Sequence, residues 1–373
     1  MTGPAVPAEG WAAALAGLPG MGPARLRAVL DAWPPEEAWA HVAAGTACSR
    51  PGVALACRPD PAGAAAQWRA AARRASVGDT WDAHRRAGVT VSLPGGPGFP
   101  DELRVDPEPP AILFSRGDPA ALDGRRVAIV GTRRCTRYGR EVAYELGRDL
   151  ASSGVRVVSG LALGVDGAAH RGALASGGAP PVAIVGSGLD VVYPPAHRAL
   201  WEQVADAGLV LSEAPLGARP EPWRFPVRNR VIAALAEVVI VVESREKGGS
   251  RHTVEAAMAR DRMVMAVPGS VRSPVSSYTN GLLADGCHPV RDALDVLVAL
   301  GLSTAPSVRA AEERPAPGPE EAPVLEALGW EAATLDDLCA RSGRSPGQVS
   351  VGLARLQVGG WVAERAGWWE RVT

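Results

Sequence analysis

Small residues and arginines recur at one kind of position in this sequence, directly after short apolar runs. Backbone N–H groups beside small residues, together with the planar fork of a guanidinium, are groups that bind phosphate. No obvious nucleophile accompanies them, so the pattern favours a binding surface over an active site. The segments are Gly131-Thr132-Arg133-Arg134, Ser159-Gly160-Leu161, Gly186-Ser187-Gly188, Ser212-Glu213 and Gly248-Gly249-Ser250.

A second group of basic residues follows Phe225-Pro226. We expect Pro226 to stiffen a loop and Arg228, Asn229 and Arg230 to stand just before a helix that begins near Val231. Two arginines and an amide at a helix N-terminus suit a phosphodiester, because guanidinium binds phosphate in a bidentate manner. The alternative is that these arginines form internal salt bridges with Glu213, Glu237 or Glu243.

The elements that must position these groups are short, β-branched strands, each followed by a helical pattern. Strands of this kind are buried on both faces, and their alternation with helices predicts an α/β fold with a doubly wound parallel sheet. Ligands bind such sheets at the carboxyl ends of the strands. The predicted strands are Val127–Val130, Val155–Val158, Val182–Val185, Leu209–Leu211, Val238–Val242 and Met263–Val267.

Missing motifs exclude three classes of site. The first turn, Gly131 to Thr136, lacks G-x-G-x-x-G and the second strand ends without an acidic residue, so NAD is not expected. The single lysine, Lys247, precedes glycine, which excludes a Walker-type NTPase. The one G-x-S-x-G match, Gly343–Gly347, lies between helical patterns instead of after a strand, so it cannot form a nucleophile elbow.

Taken together, the motifs resemble the DNA-processing protein A (DprA, also called Smf) family. They stand in the family's order over most of the predicted sheet. The matching segments are Gly131-Thr132-Arg133, Ser159-Gly160-Leu161-Ala162, Gly164-Val165-Asp166, Ala169-His170, Gly188-Leu189-Asp190, Tyr193-Pro194, Ser212-Glu213, Phe225-Pro226, Arg228-Asn229-Arg230, Gly249-Ser250, Thr253 and Pro268-Gly269-Ser270.

The resemblance implies an extended Rossmann-like domain that binds single-stranded DNA without sequence preference, forms a homodimer and loads the RecA recombinase during natural transformation. It implies no catalysis and no cofactor. With Gly131 and Arg134 added from the residues themselves, the predicted phosphate-binding set is Gly131, Arg133, Arg134, Ser159, Gly160, Arg228, Asn229, Arg230, Gly249 and Ser250.

Three positions depart from the family's pattern. Leu163 stands where a basic pocket residue is common, so one positive contact is missing or is replaced by Arg134 or Arg251. Arg251-His252 follows Ser250 where an apolar residue is usual, and Tyr278 replaces a common glycine. We expect these changes to alter DNA affinity and to leave the fold unchanged.

Composition limits the kind of DNA binding. The formal net charge of the 373 residues is −1, so contact with DNA must come from a local basic patch. The five cysteines, Cys48, Cys57, Cys135, Cys287 and Cys339, show no metal-ligand spacing, so no metal is expected. They are expected to be free thiols, with a lowered thiol pKa at Cys135 as an alternative. Without a membrane span or a signal-peptide pattern, a cytoplasmic protein is expected.

Four parts are predicted along the chain. Residues 1–85 form a small helical domain in which Leu18 to Pro23 is a hairpin between two helices, either structural or in contact with a DNA backbone, and Trp68 and Trp81 are packing anchors. Residues 86–302 hold the Rossmann-like domain, beginning with a lead-in of strands and loops. Residues 303–323 are a linker rich in Pro, Ala and Glu.

Residues 324–373 are predicted to form a winged helix. Thr334 with Asp337 opens its second helix, and Ser345 to Gln348 is a capping box at the start of the third. The third helix carries only Arg355, which favours a protein-contact or regulatory role over DNA readout. Trp361, Trp368 and Trp369 are expected to fill the core, with a partner surface or base-stacking platform as the alternative.

Two further functions remain as alternatives to the recombination mediator. One is a nucleoside monophosphate phosphoribohydrolase of the LOG (lysine-decarboxylase-like) type, which shares the general fold. Its P-G-G-x-G-T-x-x-E motif is not met, because Glu246 to Glu255 lacks the leading proline and the second glycine. The other is a transcription factor that uses the winged helix.

Overall fold

We describe the fold from a computed structural model of the chain, which describes residues 5–302, 316–330, 332–365 and 367–372. The chain divides into two compact units, Met1–Thr304 and Ala305–Thr373. The described residues of each unit contain apolar cores of their own. No helix in these ranges has the length and apolar character needed to cross a membrane.

The first unit opens with a helical bundle. Four of its helices have proline in the first turn, where a missing N–H group leaves no hydrogen bond unmade. The predicted hairpin lies between the first two helices, and the fully buried Trp68 donates from Nε1 to the Pro19 carbonyl at 3.1 Å. Trp81 packs at the edge of the same core. The helices are α1 (Ala8–Ala16), α2 (Pro23–Ala32), α3 (Pro35–Ala44), α4 (Pro51–Ala56), α5 (Pro61–Ala72) and α6 (Val77–Arg86).

A nine-stranded sheet follows, in the order β1-β2-β6-β5-β4-β3-β7-β8-β9. All six strands predicted from the sequence are present in its parallel part. Two lead-in strands extend the sheet at one edge in antiparallel pairing. The strands are β1 (Thr90–Ser92), β2 (Leu113–Gly117), β3 (Arg126–Val130), β4 (Arg156–Ser159), β5 (Val182–Val185), β6 (Leu209–Ser212), β7 (Val238–Val241), β8 (Met263–Ala266) and β9 (His288–Pro289).

Helices cover both faces of this sheet. Along β3, Val127 and Ile129 join one core while Ala128 and Val130 join the other, as expected for a strand buried on both sides. The fold is therefore the predicted Rossmann-like, doubly wound α/β sheet. The helices are α7 (Asp101–Arg104), α8 (Arg137–Ser152), α9 (Val165–Ser176), α10 (Arg198–Ala207), α11 (Arg224–Leu235), α12 (Arg251–Met258), α13 (Ser277–Ala284) and α14 (Ala293–Ala299).

The strand order fixes where a ligand can bind. From β3 the chain proceeds through β4, β5 and β6 on one side and then returns to β7 on the other side of β3. Such a reversal opens a crevice at the carboxyl ends of the strands. The predicted phosphate-binding residues other than Arg228, Asn229 and Arg230 lie at the end of β4 or in the segments that follow β3, β4 and β7, so they converge at this crevice.

The second unit is a winged helix, as predicted. Its capping boxes form at Thr334 with Asp337 and at Ser345 with Gln348. Trp361 and Trp369 pack against the core, but Trp368 is 49% exposed, so the expectation that all three fill the core is wrong for Trp368. The elements are α15 (Ala322–Leu328), β10 (Ala333–Thr334), α16 (Leu335–Ser342), α17 (Pro346–Val358), β11 (Val362–Arg365) and β12 (Trp368–Arg371).

The predicted linker, 303–323, falls largely on residues 303–315, which lie outside the described residues. The linker ends earlier than predicted, because helix α15 begins at Ala322 with Pro323 in its first turn. Proline is well placed there, since the first turn needs no N–H donor from it. Pro323, the last residue of the predicted linker, therefore belongs to the start of a helix.

Candidate phosphate-binding site

The turns after β3, β4 and β7 are held together by backbone contacts. The Thr132 N–H donates to the Glu243 carbonyl at 2.7 Å. A side chain at Gly131 would meet that carbonyl at 2.8 Å, and Gly164 lies against the backbone of Thr132 and Arg133. Glycine at these two positions lets the turns approach closely. The loop that carries Arg133 is thereby fixed to both neighbouring strands.

Arg228 is the buried cation of the site. Its side chain packs against the Cα of Gly160, in the space that a side chain at position 160 would occupy, and it donates to the Ile184 carbonyl. Arg228 is only 7% exposed, and its Nε has no hydrogen-bond partner among the residues that the structure describes. Burial lowers the pKa of Arg228 to about 10. The negative charge of Asp166 opposes this shift, and the positive charge of Arg133 adds to it. A buried donor without a partner is costly, so this guanidinium is suited to donate a hydrogen bond to an anion.

Two aromatic rings lie beside this cation. The exposed guanidinium of Arg133 stacks 4.7 Å from the centre of the Phe225 ring, and Phe225 lies 5.5 Å from Tyr193 between ring centres. These residues and Arg228 line a small cavity of about 30 Å³. The cavity combines two guanidinium groups with an apolar wall. Tyr193 and Phe225 belong to the motifs of the sequence, but the motifs alone do not indicate that the two rings form this wall.

Asp166 is a further residue that the sequence reading left without a role. Its Oδ2 accepts from the Gly160 N–H at 3.1 Å, and burial raises the pKa of Asp166 while the nearby charge of Arg228 opposes that rise. The Gly160 N–H is thus used inside the protein, so it is not a phosphate donor here. Gly160 contributes by leaving room for Arg228. The only sequence signal for Asp166 was its place in the Gly164-Val165-Asp166 motif.

Ser159 does not present its hydroxyl to the crevice. The residue is fully buried, and Oγ donates to the Ile129 carbonyl at 2.6 Å. This bond ties β4 to β3. The prediction that Ser159 contacts phosphate is therefore not supported by the position of its hydroxyl group.

The prediction for Arg228, Asn229 and Arg230 was wrong about their element. Helix α11 begins at Arg224, so all three lie inside it and Pro226 stands in its first turn instead of in a loop. Proline is tolerated there for the same reason as at other helix starts. Consequently the three side chains point in different directions from the helix instead of converging at its N-terminus.

Arg230 follows the internal-salt-bridge alternative. It donates to Glu213 at 2.6 Å and to the Glu108 carbonyl at 2.7 Å, and both partners of the ion pair are about one-tenth exposed. Arg228 does not pair with Glu213, Glu237 or Glu243 within the described residues. Glu237 pairs with Arg125 instead, and Glu243 accepts hydrogen bonds from Thr136.

The remaining predicted residues lie outside the small cavity. Asn229 donates from Nδ2 to the Gly249 carbonyl at 3.4 Å, and the buried Ser250 hydroxyl donates to Ser244. Arg134 is exposed on the turn after β3. The structure thus brings Arg133, Gly160 and Arg228 together and places Asn229, Gly249 and Ser250 in a neighbouring cluster at the start of α12.

Leu163 lines the cavity at the position where a basic residue was expected. Of the two candidate replacements, Arg251 forms an ion pair with Glu255 at 2.9 Å, which neutralises much of its charge.

Burial raises the pKa of the Cys135 thiol, which contradicts the lowered pKa considered for it. All five cysteines are free, and no cluster that could hold a metal ion occurs in the described ranges.

Comparison with known proteins supports the resemblance. The family model for DNA recombination-mediator protein A matches residues 90–301, and a model for a DprA winged helix domain matches residues 308–367. A DprA relative of Mycobacterium tuberculosis is 41% identical over 271 residues, which cover 70% of this chain and 68% of the relative. The DNA processing protein DprA of Bacillus subtilis is 36% identical over 57% of this chain and 72% of its own length.

Two solved structures resemble the fold. DprA from Streptococcus pneumoniae matches with a TM-score of 0.64 and 29% identity over 79% of this chain and 98% of the other. DprA from Helicobacter pylori, a structure described for its single-stranded DNA binding mode, matches with a TM-score of 0.51 and 31% identity over 57% of this chain and 95% of the other.

Proposed function

Because the chain belongs to the DNA recombination-mediator protein A family, we propose that it binds single-stranded DNA at the carboxyl edge of its central sheet and catalyses no reaction. It delivers the bound strand to a RecA recombinase, acts as a homodimer in the cytoplasm and serves natural transformation. The single-stranded DNA binding described for the Helicobacter pylori relative supports the choice of single-stranded DNA.

The observation that carries this proposal is the buried guanidinium of Arg228. Among the described residues its Nε has no hydrogen-bond partner, and the positive charge of Arg133 lowers the pKa of Arg228 against the opposing charge of Asp166. An anion between the two would satisfy the donor and offset the repulsion between two like charges. A phosphodiester is such an anion, and it is the same in every DNA sequence. Binding should therefore tolerate any sequence.

The rings of Phe225 and Tyr193 favour a single strand over a duplex. Unpaired bases stack on aromatic side chains whatever their identity, whereas the bases of a duplex are hidden in the stack. The guanidinium of Arg133 also stacks on the Phe225 ring, so the same ring holds this cation in place. One small surface thus offers a charge for the backbone and a flat apolar face for a base.

The local geometry gives the phosphoribohydrolase alternative no support. A catalytic carboxylate there would have to come from Glu255, but Glu255 is half exposed and engaged by Arg251 and His252. A general acid or base is usually held in a protected environment that adjusts its pKa.

In the winged helix, Arg355 of α17 is paired with Glu321 at 3.1 Å, which weakens it as a DNA contact.

A homodimer fits the proposed delivery of a strand. Two linked binding surfaces raise the effective concentration of DNA at the second one, so a long strand is held without any additional type of contact. Light scattering at micromolar concentration tests this part directly. A particle mass equal to one chain would contradict it.

The function is tested by gel shift with oligothymidylate and with a duplex of equal length. We expect tighter binding to the single strand, and a log–log salt slope of roughly 0.7 per phosphate contacted. Incubation with nucleoside monophosphates serves as the second arm. Release of free base, or equal affinity for the duplex, would contradict the proposal.

A further inference from the structure

A wide groove separates the helical hairpin of the bundle from the sheet domain. Its volume is about 1240 Å³, and its walls come from the turn between α1 and α2 on one side and from the start of α11 on the other. Small-molecule sites usually have volumes of roughly 300–1,000 Å³. The groove is therefore large enough for an extended ligand.

The charge of this groove is positive. Five arginines and two glutamates line it. Arg224, Arg230 and Arg260 are paired with Glu221, Glu213 and Asp106, respectively. The arginines without a carboxylate partner in the described part of the chain are Arg25 and Arg27, both on α2.

These two arginines differ in their hydrogen bonds. Within the described ranges, Arg25 donates to the carbonyls of Gly20 and Ala56, at 2.9 and 3.3 Å, and to no carboxylate, so its charge is not neutralised there. The Nε of Arg27 is buried and has no hydrogen-bond partner within the described residues. The charge of Arg27 acts on Glu213, lowering the pKa of that carboxyl, but Glu213 is already paired with Arg230. The side of the groove formed by α2 is therefore short of negative charge.

The opposite wall offers a flat surface. Trp223 is 44% exposed, and the Arg224 guanidinium stacks 4.5 Å from the centre of its ring. A side chain at Gly22 would lie 3.6 Å from the Trp223 ring, so the tryptophan faces the hairpin across a narrow part of the groove. A stack of this kind suits a nucleobase, and the arginines opposite suit phosphate.

The groove and the sheet-edge site both border the first turn of α11. Phe225 lines the small cavity with Arg133, while its neighbours Trp223, Arg224 and Pro226 line the groove. Among the described residues none lines both places, so a strand that contacted both would have to pass over the first turn of α11.

We propose that this groove is a second contact for the same single-stranded DNA, with Arg25 and Arg27 on the phosphates and Trp223 on a base. The proposal rests on the proposed function, because it extends the strand that occupies the sheet edge. Its occupant is a single strand of a few nucleotides, since an unpaired base is needed to stack on Trp223.

The test compares Arg27→Gln with the matched control Arg73→Gln, an exposed arginine at the end of α5 that does not line the groove. Affinities are measured for oligothymidylates of about 5 and about 20 nucleotides, lengths that lie near and beyond typical single-strand site sizes. We expect Arg27→Gln to weaken binding of the longer strand about five-fold and to lower its salt slope by roughly 0.7. Binding of the shorter strand should change less than about two-fold, and Arg73→Gln should change neither.

Trp223→Ala provides the second variant and should weaken the longer strand by about five-fold or more, with circular dichroism confirming the fold. If Arg27→Gln and Trp223→Ala both bind the longer strand as the unmodified chain does, the groove is not a DNA contact. An equal loss of duplex affinity would also overturn the proposal. If instead Arg133→Ala leaves both lengths unaffected, the sheet-edge site fails independently of the groove.

Discussion

The guanidinium of Arg228 occupies the space that any side chain at position 160 would need, so Gly160 and Arg228 are sterically dependent on each other. This relationship explains why a glycine follows β4. It also yields the first prediction. Gly160→Ala should force Arg228 from its place, cost about 1–3 kcal/mol of unfolding free energy by overpacking, and weaken single-strand binding. Urea denaturation and fluorescence anisotropy measure the two effects.

The control for this variant is Gly52→Ala in α4, where no heavy atom lies within 4 Å of an added methyl group. It should leave affinity unchanged and raise the unfolding free energy by at most about 1 kcal/mol, because alanine favours a helix over glycine. A Gly160→Ala protein with normal stability and normal affinity would mean that Arg228 does not depend on the glycine.

Replacing Arg133 should lower DNA affinity and leave stability unchanged. Because its side chain is exposed and stacked on Phe225, Arg133→Ala should weaken binding to every sequence by a similar factor, about five-fold, with a salt slope smaller by roughly 0.7. Anisotropy titrations on several sequences at a series of salt concentrations test this. Arg73→Ala removes an equal charge elsewhere, and a loss confined to one sequence would point to base readout instead.

Arg230 should behave in the opposite way. Its ion pair with Glu213 is buried, so Arg230→Met leaves an unpaired carboxylate and should lower the unfolding free energy by about 3–5 kcal/mol. Adding Glu213→Gln should recover part of that loss, because the stranded charge is removed. Chemical denaturation of the two single variants and the double variant measures this coupling, and strictly additive losses would contradict it.

The strands and the winged helix could be predicted from the sequence, but the start of helix α11 could not. All six central strands were predictable, because β-branched apolar runs such as Val182–Val185 have few alternatives once they are buried on both faces. The winged helix was predictable from its capping boxes. Pro226 was misleading, since proline is as compatible with the first turn of a helix as with a loop.

Side-chain direction was the part that could not be predicted. Ser159 and Arg230 belong to residue types that bind phosphate. However, the Ser159 hydroxyl donates a hydrogen bond to β3, and the Arg230 guanidinium donates to Glu213. These partners are 30 and 17 residues away in sequence, so no local pattern reveals them. Asp166 escaped attention for the same reason, because its acceptor role depends on how the turn after β4 folds.

His170 should make stability depend on pH. Burial lowers its pKa from 6.5 to about 3 and keeps the ring neutral in the folded protein. Below pH 6.5 the unfolded chain takes up a proton that the folded chain does not, so the stability contribution is complete above pH 6.5 and is lost as the pH falls toward 3. Between pH 7 and pH 5 this one group should cost about 2 kcal/mol.

The measurement is the unfolding free energy at several pH values for the unmodified chain and for His170→Gln. Comparing slopes isolates the histidine, because buried Asp166 and Glu213 have raised pKa values and act in the opposite direction in both proteins. Parallel pH curves for the two proteins would show that His170 does not titrate differently on unfolding.

Removal of the winged helix should leave most single-strand affinity intact. The sheet, the cavity with Arg133 and Arg228, and the groove all lie within the unit Met1–Thr304. A chain ending at Leu302 should bind oligothymidylate within about two-fold of the full chain, since no phosphate contact is lost. If that truncated chain is folded by circular dichroism and does not bind, the DNA site belongs to the winged helix.

The position of β3 in the sheet has a consequence for synthesis on the ribosome. Val127 pairs with Val157 on one side but with Val238 on the other, so one edge of the central strand has no partner until about 111 further residues have been added. At roughly 5–20 residues per second, that wait is about 6–22 s. During this interval the nascent chain exposes an apolar strand edge that can pair with other chains, so we expect correct folding to depend on the rate of translation between positions 130 and 241.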